Sequence, residues 1–327
     1  MTTDYSGRAR YETYTRAVRN VRLAVFVVAL ASGMVVAPQG SPSAAAVSPQ
    51  ERQPSQAAAP IRPDPAEAEA DVPAPQFQGC MIGIEGIRSG PCVYGDPNGR
   101  RTLILFGDSH ALQHFPALEV VAKRNRWRLV VLTKRECGPA EVEILNSLAG
   151  GEYSQCDAWR QSTLRRIEER GGHPVVAISG KSDYTAYGPR GEKLSGAANT
   201  DALEAGYVAT LKRIQRAGLR PAVIRDTPKA PFDVPECVLA NMEDPAACDF
   251  AEHDRWWRDF DLRAARRAGV PLIDPAERIC PRGLCRAVMG DVLVYRDPAH
   301  LTATYARTLN SWFEPKLRRA FARLLGA

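Results

Sequence analysis

Two short stretches hold residue types that could do chemistry together. In the first, the apolar run Thr102-Leu103-Ile104-Leu105-Phe106 breaks into Gly107-Asp108-Ser109-His110; in the second, near the far end of the chain, stands Asp297-Pro298-Ala299-His300. A serine hydroxyl becomes a useful nucleophile when a base within hydrogen-bond reach takes its proton, and that base works best when an acid fixes its tautomer. Serine, acid and base in this order point to nucleophilic acyl chemistry. Each stretch also has a plain structural reading. Ser109 is placed to cap the helix that follows it, and Asp297 to cap the last helix beside a surface histidine. Spacing alone leaves both readings open.

For the chemical reading to hold, Ser109 must sit where a strand ends and Asp297 and His300 must fold back over it. Residues 102–106 read as a buried strand, and in an open α/β sheet ligands collect at the carboxyl ends of strands. The pattern then alternates. Residues 111–126 read as a helix with Leu112, Phe115, Leu118, Val121 and Ala122 on one face, followed by a strand at 128–133. Helices are expected at 156–170, 202–217 and 251–268, the last two stopped by Gly218 and Gly269, with strands at 174–179, 220–225 and 270–273 between and after them. Apolar strands separated by helices of this length imply an α/β fold, a doubly wound parallel sheet covered on both faces in three layers. A small hairpin is expected over 287–295 around Gly290-Asp291, and a closing amphipathic helix over 303–325.

The 327 residues carry a formal net charge of +6. Half of that excess lies before residue 47, where Arg8, Arg10, Arg16, Arg19 and Arg22 outweigh Asp4 and Glu12. The rest is scattered, with no basic block interleaved with aromatics, so no nucleic-acid partner is expected. The arginine-bearing start runs into an apolar stretch at 23–37 and then Ala44-Ala45-Ala46, which reads either as a secretory signal with a small-residue cleavage site or as a single-span anchor over 1–46. From 47 to 76 the composition turns to Pro, Ala, Ser and Glu without apolar periodicity, as in an extended linker. The folded domain is then expected over 77–327.

The eight cysteines fall as four neighbouring pairs: Cys80 and Cys92, Cys137 and Cys156, Cys237 and Cys248, Cys280 and Cys285. None has the double C-x-x-C spacing of a structural zinc site, and cytosolic proteins rarely carry so many paired thiols. Of the 105 connectivities that eight cysteines allow, pairing of sequence neighbours is favoured because it closes the shortest loops. The domain is therefore expected outside the cytoplasm. His110 and His114 have the i, i+4 spacing of helix-borne metal ligands, yet no Glu lies between them and no further histidine motif follows, so neither a metal site nor a cofactor is expected. The pair Trp256-Trp257 reads as a core residue and its cover, or as a carbohydrate platform.

The two reactive stretches resemble the first and last blocks of the SGNH hydrolase superfamily. More closely, Leu105 to Ala111 with Phe115-Pro116-Ala117-Leu118, Trp127-Arg128-Leu129 and Thr133-Lys134, together with Tyr295 to Thr302 and the cysteine pairs, resembles the extracytoplasmic SGNH-like domain at the C-terminus of membrane acyltransferase-3 proteins. The similarity runs from about Cys80 to the C-terminus. It implies O-acyl transfer to, or ester hydrolysis from, a cell-envelope polysaccharide, with Ser109 as nucleophile, His300 as general base and Asp297 as its orienting acid. It further implies a glycan substrate, with either a separate multi-span membrane acyltransferase as partner supplying the acyl group or water as acceptor; a monomer is expected. The oxyanion donors of the superfamily are the serine amide, a glycine after the second strand and an asparagine after the third. Here those regions read Cys137-Gly138-Pro139 and Ser179-Gly180-Lys181-Ser182-Asp183, so Gly138 is the candidate for one, and either Gly180 or Ser182 replaces the asparagine or the site is slower than a typical esterase. The missing asparagine motivates the rival expectation, a catalytically weak glycan-binding accessory module.

Overall fold

The computed structural model describes residues 59–252 and 259–322. A central sheet is built from β1 (Met81–Ile82), β2 (Val93–Gly95), β3 (Arg101–Gly107), β4 (Trp127–Lys134), β5 (Val175–Ser179), β6 (Arg220–Ile224) and β7 (Leu272–Ile273). Strands β4, β3, β5, β6 and β7 lie side by side in that order and run parallel. Both β1, parallel, and β2, antiparallel, lie along the outer edge of β4. The five long-range strands are those expected from the sequence, and helices cover both faces of the sheet.

Period-two alternation along each strand feeds two cores. Leu103 and Leu105 of β3, with Leu129, Val131, Val175 and Ala177, face one core, while Ile104, Phe106, Val130, Leu132, Val176 and Ile178 face the other. The first core is closed by α1 (Ser109–Leu112), α2 (Phe115–Asn125), α8 (Ala303–Thr308) and α9 (Asn310–Ala322) through Ala111, Leu118, Tyr305 and Phe313. The second is closed by α3 (Ser154–Glu168), α4 (Gly196–Arg216) and α6 (Phe260–Ala268) through Trp159, Leu164, Leu211 and Ala264. Between them in the chain lie the short helices α5 (Val234–Ala240) and α7 (Ala276–Ile279).

From β3 the chain moves to β4 on one side, and then β5, β6 and β7 are laid down on the other. The order therefore reverses between β3 and β5, where Gly107 pairs with Ser179. A crevice opens at such a reversal, at the carboxyl ends of the strands. Gly107 is required there: a Cβ on it would stand 1.8 Å from the Ser179 carbonyl oxygen.

Four disulfides join the expected neighbours, Cys80 to Cys92, Cys137 to Cys156, Cys237 to Cys248 and Cys280 to Cys285. The second ties the segment after β4 to the first turn of α3, beside the crevice.

Several elements differ from expectation. The helix expected over 111–126 is two pieces, because Pro116 has no amide to give and starts α2 afresh within its first turn. The closing helix likewise splits at Leu309, and α9 carries Pro315 within it. The helix expected from 251 begins at Phe260; Phe250–Ala251 instead pairs with Leu284–Cys285. Trp256-Trp257, the N-terminal segment 1–46 and the linker up to residue 58 lie outside the described residues. From 59 onward the expected linker is structured: Pro65–Ala70 and Ala74–Gln76 form 3-10 turns, with Pro65, Ala68 and Pro75 buried. The Arg62 amide donates to the Asp291 carbonyl, and the Asp71 carboxylate accepts the Thr304 amide at 2.9 Å. Small residues and backbone hydrogen bonds dock this strap, so its low hydrophobicity did not announce it. The hairpin forms as expected, Val288–Met289 against Val292–Leu293. Among the described residues, no helix is long and apolar enough to cross a membrane.

Candidate active site

The turn leaving β3 places Asp108 as the cap of α1, its Oδ1 accepting the His110 amide at 2.8 Å. Ser109 is thus the first residue of α1 rather than its cap, and its hydroxyl points elsewhere: Ser109 Oγ lies 2.9 Å from His300 Nε2. As the first residue of a helix, Ser109 has no intrahelical acceptor for its amide. The other Asp108 oxygen reaches across to the segment after β5, accepting the Lys181 amide at 2.9 Å and the Tyr184 hydroxyl at 2.6 Å. Asp108 is completely buried, and the two strand ends are pinned to each other through it.

His300 arrives on a loop closed by the Arg296 amide donating to the His300 carbonyl. That loop is held at three further points. The Leu301 amide donates to Gln113 Oε1 at 3.0 Å, the Ala230 amide donates to the Pro298 carbonyl at 2.8 Å, and the Tyr295 hydroxyl donates to the Pro228 carbonyl at 3.0 Å. Within the loop, Asp297 Oδ1 accepts the amides of Ala299 and His300, each at 2.8 Å, and the His300 Nδ1 lies 2.9 Å from Asp297 Oδ2. Burial pushes the Asp297 carboxyl up, but hydrogen bonds and charge from His300, the Ala299 amide and Arg296 outweigh it and hold the group down at about 2. His300 is shifted below 6.5, chiefly by burial and with help from His110 and Arg296 against the pull of Asp297. At neutral pH the imidazole is therefore neutral beside an ionised carboxylate. With its Nδ1 proton directed at Asp297, its Nε2 is free to accept the Ser109 proton.

Gly138 and Gly180 lie together beside Asp108. A Cβ on Gly180 would fall 3.2 Å from Asp108 Oδ2 and 3.5 Å from the Gly138 Cα, and one on Gly138 would meet the Tyr184 ring at 2.6 Å. Ser182 is used differently: its amide and its hydroxyl both donate to Asp226 Oδ2 at 2.8 Å. The other Asp226 oxygen stands 2.6 Å from His110 Nδ1. Sequence reasoning did not single out Asp226, Tyr184 or Gln113. The available signal for Asp226 was its place, two residues beyond the end of β6, in line with the crevice. His110 and His114 have different surroundings, His110 being bonded to Asp226. His114 is buried against Phe313 with no partner on either ring nitrogen, and burial drives it down to about 3. Among the described residues, no three acidic, histidine or cysteine side chains come together to hold a metal ion.

Residues 79–315 match the model of the SGNH domain, the domain fused to AT3 domains. The chain belongs to this SGNH family. Within the SGNH match fall both reactive stretches and all eight cysteines. No curated protein matches the sequence. Among solved structures, the periplasmic domain of the Salmonella ser. Paratyphi A lipopolysaccharide acetyltransferase is similar in fold, with a TM-score of 0.54 and 16% identity over 68% of this chain and 85% of that one. The inhibitor-bound M. smegmatis aryl esterase has a TM-score of 0.42 and 11% identity over 67% of this chain and 99% of that one. The fold of this chain is thus shared with that Salmonella periplasmic domain.

Proposed function

We propose that the protein is an extracytoplasmic serine-dependent enzyme that handles O-acyl groups, acetyl above all, on a cell-envelope polysaccharide. The observation that carries this reading is the relay from Ser109 Oγ to His300 Nε2 at 2.9 Å and from His300 Nδ1 to Asp297 at 2.9 Å. His300 takes the Ser109 proton as Oγ attacks the ester carbonyl. The tetrahedral oxyanion collapses, the alkoxide leaves with the proton from His300, and an acyl-enzyme remains on Ser109. Water or a glycan hydroxyl, deprotonated by His300 in turn, then carries the acyl group away. The Ser109 amide, with those of Gly138 and Gly180 around Asp108, forms the oxyanion site in this reading. Ser182 is left out of it, since its amide and hydroxyl already donate to Asp226.

Four disulfides fit an oxidising compartment. Coenzyme A thioesters are cytoplasmic, so transfer requires an acyl group relayed across the membrane, and a multi-span acyltransferase of the AT3 kind is the partner we propose for that step. Without such a donor, the same acyl-enzyme hydrolyses esters. The test is an activated acetyl ester offered to the full-length chain and to Ser109→Ala. Loss of the serine removes turnover by on the order of 10⁴-fold or more, and an acetyl adduct accumulates on the wild-type peptide that contains Ser109. Equal rates for the two proteins would leave the accessory glycan-binding reading instead.

A further inference from the structure

Behind the Ser109–His300 pair stands a second histidine–aspartate pair that the relay does not use. His110 and Asp226 meet at 2.6 Å with side chains 3% and 2% exposed. Two buried charges cost several kcal/mol each to desolvate, and replacing such a pair by apolar residues is often neutral or stabilising. Packing alone is therefore a poor reason for it. The pair is also finished on its far side, since the Asp226 oxygen turned away from His110 accepts both donors of Ser182. On its near side the His110 ring lies against the His300 ring, centroids 4.5 Å apart at 54°.

We propose that His110, seated by Asp226 and Ser182, is a positioning residue for His300: it backs the imidazole of the base and sets how readily that imidazole takes a proton. The inference rests on the reading of Ser109, Asp297 and His300 given above, and deepens it. The groups that face His110 come from every element around it. Asp226 and Lys229 lie beyond β6, Asp108 in the turn after β3, His114 at the head of α2, His300 on the C-terminal loop and Asp183 beyond β5. Lys229 is paired with Asp183 and Lys181 with Glu136, so their charge is largely answered locally. Burial disfavours the charged form of His110, but Asp226 outweighs it and the ring is shifted above 6.5. When His110 carries its proton, it opposes protonation of His300 at this distance and keeps the base ready at a pH where a lone buried pair with Asp297 would tend to fill it. The His110 proton also lends positive potential to the turn where the oxyanion of the tetrahedral intermediate develops, in a site whose loop after β5 carries no asparagine. Through Asp226, that same loop is coupled to the base it must work with.

The experiment follows the imidazole resonances of His300 with pH, together with kcat/KM for an activated acetyl ester, in the full chain, in His110→Gln and in Asp226→Asn. Asp226→Asn keeps the shape but lets His110 lose its proton. The expected result is a His300 midpoint raised by ~1 pH unit in both variants, with the acid limb of kcat/KM moving alike and activity down several-fold at pH 6, approaching about tenfold only well below the limb. Ser182→Ala, which removes the hydroxyl donor to Asp226 Oδ2 and leaves the amide, gives a smaller shift in the same direction. An unmoved His300 midpoint in folded Asp226→Asn overturns the inference. If His300 shifts while Ser109→Ala keeps its turnover, the acyl-enzyme reading fails and the coupling of the two histidines stands; if Ser109→Ala is inactive and His300 is unmoved, only the present inference fails.

Discussion

Tyr184 and Asp108 are joined across two strand ends, the buried hydroxyl donating to the buried carboxylate at 2.6 Å. One carboxylate thereby serves two backbones, since its second oxygen caps α1. The serine turn and the loop after β5 hold their relative place through this contact.

Tyr184→Phe removes one of two donors to Asp108 Oδ2 and is expected to lower stability by about 1–2 kcal/mol. Asp108→Ala strands the amides of His110 and Lys181 together with the Tyr184 hydroxyl and is expected to cost more. Urea unfolding of both variants checks the order, and the ester assay should rank them in the same way.

The pH dependence of turnover follows from the two shifts in the relay. Asp297 is ionised above about 2 and His300 loses its proton below 6.5. The acid limb of kcat/KM is therefore expected at a pH below 6.5, with a plateau from there through neutrality and no second inflection near pH 4. A limb centred above 6.5 would contradict the depressed His300.

Asp261 gives an opposite signature in stability. Burial, opposed by Arg225 and by the amides of Asp226 and Leu262, pushes it up to about 6. A raised carboxyl favours the folded state while protonated, so its contribution is present below the ordinary value of 3.8 and is lost as pH rises through 6. Asp261→Asn should flatten the stability curve between pH 4 and pH 6, read from denaturant midpoints.

Removing the Cys137–Cys156 bridge, which closes a separation of 19 residues, is expected to cost about 3 kcal/mol. Because the bridge borders Gly138, the double variant should also lose ester turnover before it unfolds. Denaturant midpoints with and without reductant, compared with the double variant, measure the first effect.

Gly107→Ala should fail to fold or lose several kcal/mol, since its Cβ would lie on the Ser179 carbonyl. Gly171→Ala, with open space around it, is the control and should stay within about 0.5 kcal/mol. Thermal melts of the two separate a steric demand at the crevice from a general cost of losing glycine.

Much of this was legible in the chain because the determinants are local. The strands at β3, β4, β5 and β6 are short apolar runs, and their alternation with helices implied a sheet covered on both sides. Ser109, Asp297 and His300 stood out because reactive residue types lay at element ends in a sensible order. The break before Phe115 was missed because Leu112, Phe115 and Leu118 continue one apolar face across it, although Pro116 interrupts the helix itself. The strap from 59 to 76 was missed because Ala68 and Arg62 dock through small contacts that composition does not record. Asp226 was invisible for a different reason. Its partners His110 and Ser182 lie 116 and 44 residues away, and no local pattern announces a carboxylate whose meaning is three-dimensional.

Ser109 and His300 are 191 residues apart, and the strap that starts at residue 59 holds the segment just after His300 through Asp71 and Thr304. In the mechanism proposed above, a chain emerging N-terminus first therefore presents Ser109 long before His300 can activate it. A chain cut short before His300 leaves that serine an ordinary alcohol, so completion of the fold acts as its own switch.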